Sequence, residues 1–214
     1  MQVLSPEMKR FLEVGSREEA ISEPRYHYQT YAAAGFTSQS YFGSTVGSAT
    51  NGLRDTNMEK ANAIGNPKRF SVEAVKVDLI QGNFPSQTGT TMTGLMTHLN
   101  DLWEVFSAGH LQFRSIDKTY LNVAPLWQCP PGAGLLGSPA VSTQLASAAD
   151  RLVKMGVASC GLPAPQAIRW LKSPIPLQAE TPFFVEITYT ALVAITDAAR
   201  LGVVLEGLLI RPLQ

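Results

Sequence analysis

The sequence predicts an all-β protein with one or two helices inserted between strands. Several segments alternate apolar and polar residues at every second position, which is the pattern of a strand with one buried face. Clusters of glycine and proline separate these segments, as expected for turns between short strands. One long stretch, residues 92–106, instead places apolar residues at the three- and four-residue steps of a helix.

Residues 1–56 are predicted to form an N-terminal arm and a first extended segment. Ser5 and Pro6 make a helix start, and residues 16–19 (Ser-Arg-Glu-Glu) match a capping box, so short amphipathic pieces are expected first. An arm that docks on a neighbouring subunit and a simple N-terminal helix both fit these pieces. Residues 25–52 then interleave aromatic residues with Ser, Thr and Gly, which favours extended structure.

Residues 57–214 are predicted to form the folded body. Its clearest strand spans residues 69–80, where the alternation slips by one residue at Ala74, as a β-bulge would produce. Residues 201–210 are apolar on both faces, which predicts a central strand, and Gly207 within them suggests another bulge. Further strands are predicted at residues 110–123, 168–171 and 181–190.

The predicted helices lie in connections between strands. Residues 92–106 have an apolar stripe and an outward face that carries Asp101 and Glu104, and residues 144–155 are predicted to form a second helix. Residues 130–139 are rich in proline and glycine and are predicted to form a stiff loop. Roughly seven to nine strands, with helices confined to connections, predict a sandwich or barrel of the jelly-roll kind.

The composition argues against several classes of protein. The 214 residues include 17 Lys+Arg and 17 Asp+Glu, and a formal charge of zero disfavours a protein that grips nucleic acid. Only 16% of residues are charged while 45% are hydrophobic, so we expect neighbouring subunits to cover part of the surface. The N-terminus does not resemble a signal peptide, and two cysteines are compatible with a reducing compartment, so synthesis in a cytoplasm is expected.

The sequence contains motif fragments but no catalytic signature. The glycines at 132, 134 and 137 match the spacing of a dinucleotide-binding loop, yet prolines on both sides leave no room for the required strand and helix. Asp101 and Glu104 could be drawn as an acid–base pair, although a solvated helix face explains them more simply. No enzyme activity or cofactor is therefore predicted. A metal site is not predicted either, because the potential ligands are scattered along the chain: His27, His98, His110, Cys129 and Cys160.

Aromatic residues outside the clearest strands are the candidates for contacts between subunits. Tyr26, Tyr28 and Tyr31 could also stack on nucleic-acid bases, but few cationic residues lie near them in the sequence. Trp127 and Trp170 are in addition candidate stacking residues for a carbohydrate, with packing in the core as the alternative. The subunit-interface candidates are Phe11, Tyr26, Tyr28, Tyr31, Phe36, Tyr41, Trp127 and Trp170.

Three stretches together resemble a known group of proteins. The first runs from Asn57-Met58-Glu59 through Pro67 into a Phe70-Ser71-Val72 strand, and the second from Phe113 to the Ala124-Pro125-Leu126 segment and its Pro/Gly-rich loop. The third combines residues 182–187 (Pro-Phe-Phe-Val-Glu-Ile) with residues 203–212. This succession, over about residues 57–212, resembles the jelly-roll coat proteins of tailless icosahedral bacteriophages, including those with an internal membrane.

The resemblance implies a virion structural protein, namely a self-assembling capsid subunit that is made in the host cytoplasm and resides in the virion. Its implied partners are copies of itself and other virion proteins, with an internal membrane as a further candidate and no sequence-specific nucleic acid. The alternative is a carbohydrate- or receptor-binding β-sandwich of a virion spike or appendage. An enzyme of the jelly-roll or cupin type is a third hypothesis, which the lack of a histidine cluster opposes.

Overall fold

Two antiparallel sheets form the folded body, which confirms the predicted all-β fold as a sandwich. The computed structural model describes residues 17–48, 52–81, 101–116, 118–130, 168–196 and 198–213. In these ranges no helix is both long and apolar enough to cross a membrane. The strands are β1 (Glu18–Ser22), β2 (Arg25–Tyr31), β3 (Ser38–Tyr41), β4 (Arg69–Gln81), β5 (Gly109–Ser115), β6 (Lys118–Pro125), β7 (Trp170–Leu177), β8 (Phe183–Tyr189) and β9 (Ala199–Pro212).

The first sheet, sheet A, is organised around β9. This strand of 14 residues pairs with β4 on one side, and on the other side with β2 along residues 199–205 and with β1 along residues 208–212. Strand β7 pairs with the free side of β4 and completes the five-stranded sheet. The central position of β9 agrees with the prediction from its two apolar faces.

The second sheet, sheet B, has the strand order β3-β8-β5-β6. Across both sheets the antiparallel pairs are nested about the β5–β6 hairpin: β5 pairs with β6, β4 with β7, β3 with β8 and β2 with β9. Successive pairs alternate between sheet B and sheet A. The chain therefore runs as one long two-stranded ribbon that is folded back and forth between the sheets.

The first strands correct the predicted domain boundary. Because β1, β2 and β3 are paired within the two sheets, the body includes residues from Glu18 onwards, and the boundary between residues 56 and 57 is wrong. The helix start predicted from the capping box at residues 16–19 is also wrong, because Glu18 and Glu19 lie in strand β1. Glu18 pairs with Arg69 of β4 and Glu19 with Arg211 of β9, both at 2.7 Å, so these glutamates hold a strand and do not cap a helix.

The predicted bulge in β4 is confirmed. The register between β4 and β9 shifts between Val72 and Ala74, which leaves Glu73 as the extra residue. Gly207 pairs with Val72 at this point, so the glycine does mark an irregularity, although the extra residue belongs to β4. Burial raises the pKa of the Glu73 carboxyl above its ordinary value.

Strand β7 runs further than predicted. It spans Trp170–Leu177 and includes Pro174 and Pro176, which were expected in an irregular end of the strand predicted around residues 168–171. Because β7 lies at the edge of sheet A, its prolines remove no hydrogen bonds from the centre of the sheet.

The helix before β5 is confirmed only at its C-terminal end. Residues 101–108 are helical and β5 begins at Gly109, where the helix was predicted to end. Two side chains among its described residues differ from the prediction. Asp101 is buried and accepts hydrogen bonds from the backbone and hydroxyl of Thr196, whereas Trp103, assigned to the apolar stripe, is 72% exposed. Residues 82–100, the predicted helix at 144–155 and the loop beyond Pro130 lie outside the described residues.

Cys129 gives a test of the core. Its side chain is buried beside the 3-10 turn Leu126–Gln128, and burial raises the pKa of its thiol to about 11. In a Cys160→Ser variant, which leaves a single thiol, we expect no reaction with a thiol reagent at pH 8 until the protein is denatured. Stoichiometric labelling of the native variant would contradict the burial of Cys129.

Candidate interaction surface

The outer face of sheet A carries a shallow groove of about 530 Å³. Side chains of alternate residues on three neighbouring strands form its floor, and residues of two loops form its rim. The floor consists of Tyr26 and Tyr28 from β2, Lys76, Asp78 and Ile80 from β4, and Arg200, Val204 and Glu206 from β9, and the rim consists of Pro24, Leu53 and Arg54.

Tyr28 lies at the centre of this groove. Its ring crosses β9 at Gly202, where an added Cβ would come within 2.2 Å of the ring carbons. The guanidinium of Arg200 lies 5.2 Å from the ring centroid, and the hydroxyl donates a 3.2 Å hydrogen bond to Asp78. Burial and the Asp78 carboxylate raise the pKa of Tyr28, and burial raises the pKa of Asp78. Tyr28 therefore remains a protonated hydrogen-bond donor at neutral pH.

The charged side chains of the groove are paired within the chain. Arg200 contacts Asp55 at 2.5 Å and also donates to the carbonyl of Arg54 at 2.8 Å, while Lys76 contacts Glu206 at 2.5 Å. Arg54 is held more loosely, since its Nε lies 3.9 Å from Asp55 and its side chain is 80% exposed. The floor thus offers an incoming molecule neutralised ion pairs and partly exposed aromatic rings.

The loop at 52–57 forms the rim because it follows the free edge of β2. The backbone N–H of Tyr28 donates to the carbonyl of Asp55 at 2.7 Å. The side chain of Asn57 accepts from the backbone of Tyr26 at 3.0 Å and donates to the carbonyl of Pro24 at 2.7 Å. This loop satisfies backbone groups that an exposed edge strand would offer to other chains.

His27 lies beside a second, more polar groove of about 690 Å³ next to the first. The His27 side chain is buried, with 1% of the residue exposed. Its Nδ1 accepts a hydrogen bond from the backbone N–H of Phe42 at 2.5 Å. Because Nδ1 accepts, the neutral ring carries its proton on Nε2 and donates it to the Ser44 hydroxyl, 2.9 Å away. Burial lowers the pKa of His27 to about 4.

This tautomer bears on the chemistry of the neighbouring serine. A histidine that activates a serine must accept the hydroxyl proton at the nitrogen facing it, and it is usually oriented by a carboxylate at the other nitrogen. Nε2 of His27 already carries a proton, and the nearby Asp55 carboxylate is engaged by Arg200. The arrangement of Ser44, His27 and Asp55 therefore supports structure and not nucleophilic catalysis.

The predicted interface candidates are divided between surface and core. Tyr26 and Tyr28 lie in the groove described above. Tyr31 and Tyr41 are buried inside this chain, so their prediction as subunit contacts is wrong; the Tyr31 hydroxyl is satisfied by the carbonyl of Val193 at 2.6 Å. Phe36 is half-buried, with its ring centroid 4.9 Å from that of Tyr31, and Phe11 lies outside the described residues.

Trp127 and Trp170 are on the surface, with 59% and 52% of each residue exposed, so the alternative of core packing is wrong for both. They flank the same edge of sheet A. Trp170 is the first residue of β7 and pairs with Ala74 of β4. The neighbours of the two tryptophans are also connected, since Arg169 donates a 2.6 Å hydrogen bond to the side chain of Gln128.

Sequence reasoning missed the residues that connect the strands of the groove. Arg200, Asp55 and Asp78 are separated by more than 20 residues from one another, and they meet only once β2, β4 and β9 are in register. The available signal was that Asp78 and Lys76 lie on the polar face of the predicted strand 69–80.

Among the residues that the structure describes, no three potential ligands are grouped to hold a metal ion. Comparison of the chain with known protein families, curated proteins and solved structures finds no match.

Proposed function

We propose that this protein is a structural subunit of a virus particle, a jelly-roll capsid subunit of an icosahedral phage that assembles with copies of itself. The observation that carries the proposal is the strand order. A jelly roll consists of two packed sheets formed by a folded ribbon of nested antiparallel pairs. The orders β2-β9-β4-β7 and β3-β8-β5-β6, with pairs nested about the β5–β6 hairpin, support this proposal.

The character of the surface supports an assembly role. Large apolar side chains are exposed on several elements, and aromatic side chains are enriched at contacts between proteins. Most Lys and Arg side chains in the described ranges pair with a carboxylate of the same chain, which favours protein partners over nucleic acid. The exposed groups include Leu53, Trp103, Ile116, Val123, Trp127, Trp170 and Leu192.

The proposal includes partners and a location. Copies of this chain and other virion proteins are the main partners, an internal membrane is a further one, and the assembled protein resides in the virion after synthesis in the host cytoplasm. Contacts are proposed to be made by surfaces and not by a pocket, because the charges lining the groove on sheet A are engaged within the chain.

The particle state of the purified protein tests this proposal. Size-exclusion chromatography with light scattering, followed by negative-stain electron microscopy, should reveal shells, sheets, or pentagon- or hexagon-like oligomers as the protein concentration rises. A 23.1 kDa monomer at every concentration would contradict it.

Replacement of the two surface tryptophans should separate assembly from folding. In a Trp127→Ser/Trp170→Ser variant we expect assembly to be lost, because truncation of a tryptophan at the centre of an interface often costs about 2 kcal/mol or more of binding free energy. The midpoint of thermal unfolding should change little, since both side chains are more than half exposed in the single chain. Assembly at the wild-type concentration would show that this edge of sheet A is not a subunit contact.

A carbohydrate- or receptor-binding spike component is the second candidate. The exposure of Trp127 and Trp170 on one edge favours it, because exposed aromatic rings can stack on sugar faces. A monomer or trimer that binds a glycan array, and that loses binding in the double tryptophan variant, would support this candidate over a shell subunit.

A further inference from the structure

We propose that His27 is an acid-sensitive latch that holds the turn after β3 and the loop before β4 against strand β2. The turn comprises residues 42–44 and the loop residues 52–58, and together they are called the latch segments below. Acid is expected to release them while the rest of the sandwich remains folded. The inference concerns the fold of the single chain and does not depend on the proposed function.

The geometry around His27 couples three parts of the chain. Its ring nitrogens bind the backbone of Phe42 and the hydroxyl of Ser44, both in the turn. Its own backbone bridges to Thr56 in the loop, and the Thr56 hydroxyl donates to the carbonyl of Tyr26 at 2.9 Å. One buried imidazole therefore lies where β2, the turn and the loop meet.

The backbone at Phe42 needs this support. Its φ of +67° lies in the left-handed region, which costs a residue with a side chain about 1–2 kcal/mol. The conformation is held by the His27 bond to its N–H, by a 2.7 Å bond from Asn62 N–H to its carbonyl, and by its buried ring, 5.4 Å from the Phe183 ring. Loss of the first of these leaves the turn with stored strain and fewer contacts.

Protonation removes the acceptor that the turn requires. A doubly protonated imidazole donates from both nitrogens, so Nδ1 would then face the Phe42 N–H donor to donor. The Asp55 carboxylate favours the protonated ring and raises the pKa of His27, but burial is the larger influence and keeps His27 neutral in the closed state. The titratable and charged groups around the ring come from four elements: Tyr28, Tyr41, Arg54, Asp55 and Arg200.

The direction of the pH effect follows from proton linkage. His27 has a pKa of about 4 when the latch is closed, and its ordinary value of about 6.5 is expected when the latch is open. Well above pH 6.5 both states are neutral and pH has no effect. Between pH 6.5 and 4 the open state binds the extra proton, so the opening equilibrium should approach a tenfold rise per pH unit, which amounts to about 15-fold from pH 6.5 to pH 5.

Amide hydrogen exchange of the full chain, corrected for intrinsic exchange rates, tests the latch. We expect the opening equilibrium of the Phe42 and Tyr28 amides to rise about 15-fold between pH 6.5 and pH 5, and these amides to exchange faster than amides of the β4–β9 ladder throughout. Equal exchange of latch and ladder amides would show that acid unfolds the whole sandwich, and this would overturn the proposal, as would an opening independent of pH.

Two variants assign the effect to one histidine. Glutamine can accept from Phe42 and donate to Ser44 without titrating, so His27→Gln should abolish the pH dependence, whereas the control His110→Gln on β5 should retain it. If His27→Gln does not fold, imidazole nitrogen chemical shifts of the wild-type protein replace it. Protonation of His27 must then coincide with the opening of the latch amides, and opening with a neutral His27 would overturn the proposal.

Discussion

Replacement of Gly207 by alanine is expected to destabilise the sandwich by about 3 kcal/mol, the upper end of the usual cost of overpacking. An added Cβ would stand 1.9 Å from the carbonyl oxygen of Ser71 and 3.2 Å from the Phe70 ring. The oxygen belongs to the backbone of β4, which is held by β9 on one side and β7 on the other. Because β4 cannot move away without breaking one of these ladders, the clash has no inexpensive relief.

Urea denaturation of Gly207→Ala, with Gly65→Ala as the matched control, measures this effect. The nearest atom to a Cβ at position 65 is a Glu59 carboxylate oxygen at 3.7 Å, an ordinary contact, so a change within about 0.5 kcal/mol is expected there. Equal free energies of unfolding for the two variants would mean that β4 and β9 are further apart at the bulge than the structure indicates.

Gly207 also illustrates how much of the fold could be predicted from the sequence. The slip at Ala74 and the glycine in the last strand each indicated a bulge, and the structure has one bulge there, in β4 opposite Gly207. Alternation within a strand is a local property, so the residues that face inward in β4 and β8 could be identified without knowing any partner. That the slip in β4 and the glycine in β9 lie opposite each other is a fact of register, which local pattern does not contain.

The first strand was mistaken for the same reason. Glu18 and Glu19 resemble a helix start when read alone, and only their pairing with Arg69 and Arg211 identifies β1 as an edge strand. Tyr31 has a hydroxyl and polar neighbours, which suggested a surface residue, but a carbonyl 162 positions further along the chain satisfies that hydroxyl in the interior. Burial of a polar aromatic residue depends on such distant partners.

The groove on sheet A was predictable only in part. Tyr26 and Tyr28 were selected as surface aromatics and do lie there. The ion pair of Arg200 with Asp55 and the hydrogen bond of Tyr28 to Asp78 span 145 and 50 residues, so no short motif encodes them. A binding surface formed by residues distant in sequence is therefore harder to infer from sequence than a catalytic motif, whose residue types are themselves informative.

Truncation of Phe183 to alanine should produce the largest loss of stability, about 4 kcal/mol, within the usual range for a buried phenylalanine. Its fully buried ring lies 5.4 Å from Phe42 and 6.1 Å from Phe113 between ring centroids, so three aromatic residues share one cluster on the inner face of sheet B. The cavity left by the ring would also remove support from the left-handed turn at Phe42.

The adjacent Phe184 supplies the control, because neighbouring residues of a strand point to opposite faces. Phe184 is 37% exposed and its ring is covered by Arg114 at 5.2 Å, so Phe184→Ala should cost only about 1 kcal/mol. A domain is stable by roughly 5–15 kcal/mol, so Phe183→Ala could remove much of that stability while Phe184→Ala leaves the fold intact. Similar losses for the two variants in urea denaturation would mean that the inner and outer faces of β8 are assigned wrongly, and with them the sandwich from which both the groove and the latch derive.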